Sequence, residues 1–141
     1  MKKLHRPLLG VLIVTVALLP AFGANVSVAQ AATWTPLTLE NGWTTTFLPS
    51  SNAAVTNISG IVHFKGAIAT SGTNAQAFTL PAGFRPATTV VLVPVDLCNA
   101  TKGRLFIFPG GVVMVRAEKA FSDAQCFTSL DGASFALAPG S

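Results

Sequence analysis

The amino-acid sequence predicts an all-β fold, a single antiparallel β-sandwich domain of jelly-roll type that follows a cleaved signal peptide. Apolar and polar residues alternate with a period of two along much of residues 32–141, which is the period of a strand with one buried face. Turn residues interrupt this pattern about every eight to twelve positions, as they do in sandwiches and jelly rolls. Residues 118–125 could form one short turn of helix, and no other segment after residue 31 has a convincing amphipathic helical pattern.

Individual segments carry this pattern. Residues 88–95 are apolar and rich in β-branched side chains, which predicts a strand covered on both faces. Pro109-Gly110-Gly111 separates two further strands, 104–108 and 112–117, and predicts a hairpin. Leu80-Pro81-Ala82-Gly83 has proline second and glycine fourth, as a type I turn prefers. The remaining strands are expected at residues 43–48, 76–80 and 134–137, and residues 55–58 are interpreted as part of the strand that follows them.

The segment around residues 58–69 predicts a strand with one buried face. Val62, Phe64 and Ile68 share one parity, and the residues between them are mostly polar or small. Gly60 and Gly66 have the buried parity too, which suggests bulges or a close approach of another backbone.

The N-terminus has the organisation of a secretory signal peptide. A basic head at residues 2–6 precedes an apolar run at 8–22, and Ala29-Gln30-Ala31 offers small residues where a signal peptidase cuts. The alternative is a membrane anchor, but a spanning helix needs about 20 apolar residues and polar or helix-breaking residues interrupt this run first. We therefore expect a signal peptide at 1–31, a single domain at 32–141, secretion, and no stable membrane anchor.

Charge gives no indication of a polyanionic partner. The full chain has 9 Lys and Arg against 5 Asp and Glu, but three of the bases lie in the predicted signal peptide. The remaining six bases are scattered along the sequence, so no nucleic-acid partner is expected. Low charge and high apolar content favour a homo-oligomer, in which a partner subunit covers apolar surface.

Cys98 and Cys126 are the only cysteines of the chain, and both lie after the predicted cleavage site. In an exported chain a single disulfide between them is expected. A metal pair or a reactive thiol is the alternative, but one histidine in the mature chain, His63, leaves too few ligands for a tetrahedral site. No cofactor and no metal are expected.

Four segments, taken in order and at their spacing, carry a resemblance. They are Asn41-Gly42-Trp43-Thr44, Val62-His63-Phe64-Lys65-Gly66, the segment from Leu80 to Pro86, and Leu130-Asp131-Gly132-Ala133-Ser134-Phe135. Together they resemble the C-terminal head domain of bacteriophage tail-fibre and receptor-binding proteins. The resemblance implies a compact antiparallel β-sandwich, a homotrimer, and a surface that binds saccharides of the host cell. The signal peptide and the cysteine pair depart from that pattern and suit a stand-alone secreted protein.

Three residues are candidates for ligand binding, and each has a structural alternative. Trp34 and Trp43 are the only tryptophans and could stack on a sugar ring, whereas Trp43 could instead fill the sandwich or a subunit interface. The Arg85 guanidinium could bind a carboxylate or sugar hydroxyls, or it could bind backbone carbonyls or an acid such as Asp131.

No catalytic motif is present in the sequence. A serine-hydrolase Gly-x-Ser-x-Gly, a His-Glu-x-x-His zinc motif and an Asp-rich calcium loop are all missing. We therefore expect a secreted, non-enzymatic binding module, with extracellular or cell-surface carbohydrate as the ligand. The alternatives are a self-assembling structural protein without a small ligand and a small hydrolase with two carboxylates in one cleft.

Overall fold

The computed structural model describes residues 29–46 and 52–138, together with positions 10, 16, 17 and 23. The chain divides into two units, Met1–Gln30 and Ala31–Ser141. Most of the predicted signal peptide lies outside the described residues, so its prediction stays a prediction. No helix among the described residues is long and apolar enough to cross a bilayer.

The second unit is built from antiparallel strands in three sheets, and the predicted all-β sandwich is confirmed. Sheet A has the strand order β1-β3-β4-β11, sheet B the order β6-β9-β8-β7, and sheet C the order β10-β5-β2. The strands are β1 Thr35–Pro36, β2 Trp43–Thr45, β3 Ala54–Ile58, β4 Ile61–Lys65, β5 Ala67–Thr70, β6 Gln76–Thr79, β7 Val91–Asp96, β8 Lys102–Ile107, β9 Val112–Ala117, β10 Thr128–Ser129 and β11 Ser134–Ala136.

Short helices join some of these strands. One α-helix, α1, spans Phe121–Cys126. It overlaps the segment 118–125 in which a helical turn was expected and ends one residue after it. Two 3-10 turns lie at Ala82–Phe84 and Cys98–Ala100. The strand predicted at 43–48 is observed over Trp43–Thr45, and its last positions, 47 and 48, lie outside the described residues.

The glycines at positions 60 and 66 end strands, and the prediction of bulges within one long strand is wrong. Gly60 has φ +84° in the turn between β3 and β4, which pair from Ala54–Lys65 to Ile58–Ile61. Gly66 has φ +103° and separates β4 in sheet A from β5 in sheet C. Such φ values suit glycine because they place a Cβ against the following carbonyl. Both glycines therefore redirect the chain.

The strand at residues 91–96 is buried on one face only, which corrects the prediction of a strand covered on both. β7 is the last strand of sheet B and pairs only with β8 along its length. Val93 and Val95 point into the core, whereas Leu92 is 47% exposed. An apolar run cannot show which of its faces the other sheet will cover, because that depends on the strand order.

The two turns predicted at residues 80–83 and 109–111 lie next to each other, because the Leu80 N–H donates to the Gly111 carbonyl oxygen. Pro109-Gly110-Gly111 joins β8 to β9 as a hairpin, as predicted. The turn after β6 lies one residue later than expected, since the Phe84 N–H donates to the Pro81 carbonyl oxygen at 3.0 Å. Pro81 has φ −58° and ψ 156°, an extended conformation that excludes it from the second position of a type I turn.

The core lies between the inner faces of the sheets. Phe64 of β4 packs with its ring centroid 6.2 Å from Phe78 of β6 and 6.1 Å from Phe135 of β11. The Phe64–Phe78 contact joins sheet A to sheet B, and the Phe64–Phe135 contact lies within sheet A. Other fully buried side chains come from all three sheets and from the loops after β6 and before β11: Val55, Val62, Ile68, Leu80, Leu105, Ile107, Val113, Val115 and Leu130.

Candidate functional site

The outer face of sheet B is defined by strict alternation along β8. Gly103, Leu105 and Ile107 point inward and are buried, so Lys102, Arg104 and Phe106 point outward. A Cβ at position 103 would lie 2.6 Å from the Arg116 carbonyl oxygen and 2.8 Å from a methyl of Leu97, which explains the glycine in this strand. Adjacent strands repeat the alternation, so the outward residues form rows across the sheet.

The rows change in character from one end of the face to the other. Leu92, Phe106 and Met114 are cross-strand partners and form an apolar row. The next row contains Arg104 and Arg116, also direct partners, with Pro94 beside them. The last row has Asp96 opposite Lys102, and the Glu118 N–H donates to the Lys102 carbonyl oxygen at 3.0 Å.

The apolar end of this face forms a groove of about 610 Å³. Leu92 is 47% exposed and Val90 is 42% exposed, so this end of the face presents contiguous apolar surface to solvent. We call this feature the sheet B groove, and its lining residues are Val90, Leu92, Phe106, Phe108, Met114 and Arg116.

Ion pairs occupy the other rows of the face. Lys102 pairs with Asp96, and the Arg104 Nη2 lies 3.5 Å from the Glu118 Oε1. These side chains are half or more exposed, so each pair contributes less than about 1 kcal/mol. Arg116 makes no ion pair with any residue that the structure describes.

Trp43 is a core residue, which contradicts its assignment to ligand binding and agrees with the structural alternative. Its side chain is 3% exposed, and its indole N–H donates to the Asn74 carbonyl oxygen at 2.9 Å. The Phe121 ring packs edge-on against it, with centroids 6.3 Å apart. A buried ring with its N–H satisfied has no face to offer a sugar.

Trp34 is partly exposed, as is Arg85. It directly precedes β1 at the edge of sheet A, and the Lys65 ammonium lies 4.6 Å from its ring centroid. This cation–π contact covers one face of the indole and holds Lys65 against the sheet. Nearby, the Thr56 hydroxyl donates to the Thr33 carbonyl oxygen at 2.7 Å and fixes the chain beside Trp34.

Arg85 binds a backbone carbonyl at a turn, which was the structural alternative to ligand binding. Its Nε–H donates to the Leu80 carbonyl oxygen at 2.8 Å, and the Leu80 N–H donates to the Gly111 carbonyl oxygen at 2.8 Å. The backbone of Leu80 therefore connects the Arg85 side chain to the β8–β9 turn. Trp34, Trp43 and Arg85 lie on separate elements, and none of them lines the sheet B groove.

The predicted disulfide between Cys98 and Cys126 is confirmed, with Cα atoms 5.9 Å apart. It joins the 3-10 turn after β7 to the end of α1, and the chain between the cysteines contains β8 and β9. Asn99 Nδ2 also donates to Asp123 Oδ1 at 2.9 Å across the same junction. The two strands that carry most of the sheet B groove are thus held in a covalently closed loop.

A second groove, of about 300 Å³, contains two carboxylates, those of Asp96 and Asp131. Asp96 pairs with Lys102, and Asp131 Oδ1 accepts the Gly66 N–H at 2.8 Å. Both acids thus have structural partners. No cluster of three or more His, Cys, Asp or Glu side chains suited to a metal ion occurs within the described part of the chain.

Sequence reasoning missed the sheet B groove, although its signal was present. Lys102, Arg104, Phe106 and Phe108 share one parity, as do Met114 and Arg116 on the facing strand. In the folded sheet, three of the six bases of residues 32–141 lie on this one face, at Lys102, Arg104 and Arg116. Bases that are scattered along the sequence are therefore clustered in space.

Comparison with known proteins gives no family assignment. No family model matches the chain, and neither a curated protein nor a solved structure matches it. The resemblance to phage tail-fibre heads stays a prediction from the sequence.

Proposed function

We propose that this chain is an exported, non-enzymatic binding module that takes a small apolar ligand in the sheet B groove. One observation carries the proposal: five apolar side chains and one arginine line a groove of about 610 Å³ on an outward sheet face. Small-molecule sites span roughly 300–1,000 Å³ and are lined mainly by apolar and aromatic groups with a few polar ones. The size and lining of this groove both agree with that class of site.

The floor of the groove rests on the packed core and on regular strand pairing. Leu105, Ile107, Val113 and Val115 lie directly beneath it and are fully buried. Six cross-strand pairs join β7 to β8 and five join β8 to β9. A preformed surface spends little of the binding free energy on ordering side chains or loops.

Nile red, a neutral dye that fluoresces in apolar surroundings, tests this proposal. We expect saturable binding to the purified protein and an affinity about fivefold lower for Leu92→Asn, because a partly buried aliphatic side chain contributes about 1 kcal/mol. Met114→Gln should weaken binding similarly. Both side chains lie on the outward face of the sheet, so the fold should be retained.

Ile58→Asn is the matched control for the dye experiment. Ile58 is 46% exposed at the end of a strand in sheet A, close to the 47% of Leu92, but it lies outside the groove. Its substitution should leave dye affinity unchanged. Equal losses in Leu92→Asn and Ile58→Asn, or no saturable binding to any variant, would contradict a site in the groove.

The same face could instead bind another subunit. Light scattering, which measures the oligomeric state, distinguishes subunit association from ligand binding. A homotrimer is expected from the resemblance to phage heads, and a trimer that keeps the groove open is compatible with ligand binding. If Leu92→Asn dissociates the oligomer and the wild-type protein excludes the dye, the face is a subunit interface. The protein would then be a structural one without a small ligand.

Carbohydrate binding is the second candidate function, and the partly exposed ring of Trp34 is the observation that favours it. The prediction is retention of the purified protein on at least one surface of a broad glycan panel, with retention lost in Trp34→Ala. Lys119→Gln is the control, since it removes an exposed charge away from Trp34 and should not change retention. No retention across the panel would contradict this candidate.

A hydrolase is the weakest alternative, since the two acids of the smaller groove already have partners within the chain. Lys102 neutralises Asp96, and the Gly66 amide holds Asp131 at the loop before β11. These contacts supply structural reasons for both carboxylates.

A further inference from the structure

Two arginines face each other across the sheet at the end of the sheet B groove. Arg104 and Arg116 are direct partners in the β8–β9 register, where like charges repel. Glu118 supplies one carboxylate, and it lies 3.5 Å from Arg104. The pair of guanidinium groups therefore has one anionic partner among the described residues.

Arg116 is the arginine without that partner, and it is also the one that lines the groove. Its side chain is exposed at the boundary between the apolar row and the charged rows. A guanidinium presents several N–H donors in a planar fork that matches a carboxylate. An anion bound there would also offset the repulsion from Arg104.

We infer that the ligand is a small amphiphile with a single anionic group, such as a fatty acid; this rests on the proposed function of the groove. Its apolar part lies against Leu92, Phe106 and Met114, and its carboxylate binds Arg116. The charge of the face supports this orientation, because the apolar row lies next to the arginine row. The volume of the groove suits a small molecule, and the positive charge of Arg116 suits an anionic group on that molecule.

Dodecanoate and the neutral dodecanol are the ligands for the test, both used below the concentrations at which they aggregate. Displacement of Nile red at neutral pH measures the affinity of each. We expect wild-type protein to bind dodecanoate about tenfold more tightly than dodecanol, and Arg116→Gln to remove that difference by weakening dodecanoate alone. Lys119→Gln, which removes a base outside the groove, should leave both affinities unchanged.

The outcomes separate this inference from the proposed function. Equal affinities for the two ligands, or an unchanged preference for dodecanoate in Arg116→Gln, would overturn the anionic ligand while the apolar site stands. Equal loss of dodecanoate affinity in Lys119→Gln would assign the effect to net charge and also overturn it. Failure of Nile red and of both ligands to bind would overturn the groove as a ligand site.

Discussion

Replacing Cys98 and Cys126 together with alanine is expected to lower the free energy of unfolding by roughly 3.5 kcal/mol. The disulfide closes a loop with a sequence separation of 28, and loop-closure entropy in the unfolded chain gives an effect of this size. The loop contains β8 and β9, so loss of the disulfide also removes the covalent constraint on the strands that carry the groove. Urea unfolding of the wild-type and double-variant proteins measures the change.

The reductant supplies the control for the disulfide. Reduced wild-type protein should unfold at nearly the same urea concentration as the double variant, and the variant should not respond to reductant. Coincident unfolding curves for oxidised and reduced wild-type protein would contradict a stabilising disulfide.

Replacing Gly111 with alanine is expected to cost about 3 kcal/mol. Gly111 has φ +95°, and a Cβ there would lie 2.6 Å from Arg85 Nε and 2.7 Å from the Leu80 carbonyl oxygen. The left-handed conformation alone costs an alanine roughly 1–2 kcal/mol, and crowding a packed corner adds a similar amount. The free energy of unfolding from urea titration, at constant slope, measures the total.

Gly110→Ala is the matched control, because the two glycines are neighbours in one turn. No atom lies within 4 Å of a Cβ at position 110, and its φ is not in the left-handed region. Its substitution should change stability by less than about 0.5 kcal/mol. Equal stability of the two variants would show that the Arg85 brace does not constrain the turn.

A double-mutant cycle with Arg85→Ala tests the brace directly. Arg85→Ala should cost about 1 kcal/mol in the wild-type protein through the lost hydrogen bond to Leu80. It should cost less in Gly111→Ala, since it also removes one of the two close contacts with the new methyl group.

Local sequence signals predicted local structure well. Pro109-Gly110-Gly111 between alternating strands predicted the β8–β9 hairpin, because positive φ and strand parity are properties of a few adjacent residues. The disulfide was also predictable, because Cys98 and Cys126 are the only cysteines of the chain and each has one possible partner. Gly60 was misread as a bulge, because parity continues through a tight two-residue turn.

Features that depend on strand order could not be predicted from the sequence. The apolar residues of β7 look alike, and only the packing of one face of sheet B into the core buries Val93 while leaving Leu92 exposed. The juxtaposition of Arg104 and Arg116 likewise depends on the β8–β9 register. The candidate groove is therefore a product of topology, whereas the residues chosen from the sequence, Trp43 and Arg85, became core and brace.

The most direct test of the ligand site in the sheet B groove is amide chemical-shift mapping of the ¹⁵N-labelled protein during titration with dodecanoate. We expect saturable shifts that are largest in the strands of the groove, Val91–Asp96, Lys102–Ile107 and Val112–Ala117. Shifts centred instead on Trp34 or Arg85, or an unchanged spectrum, would contradict a ligand site in the groove.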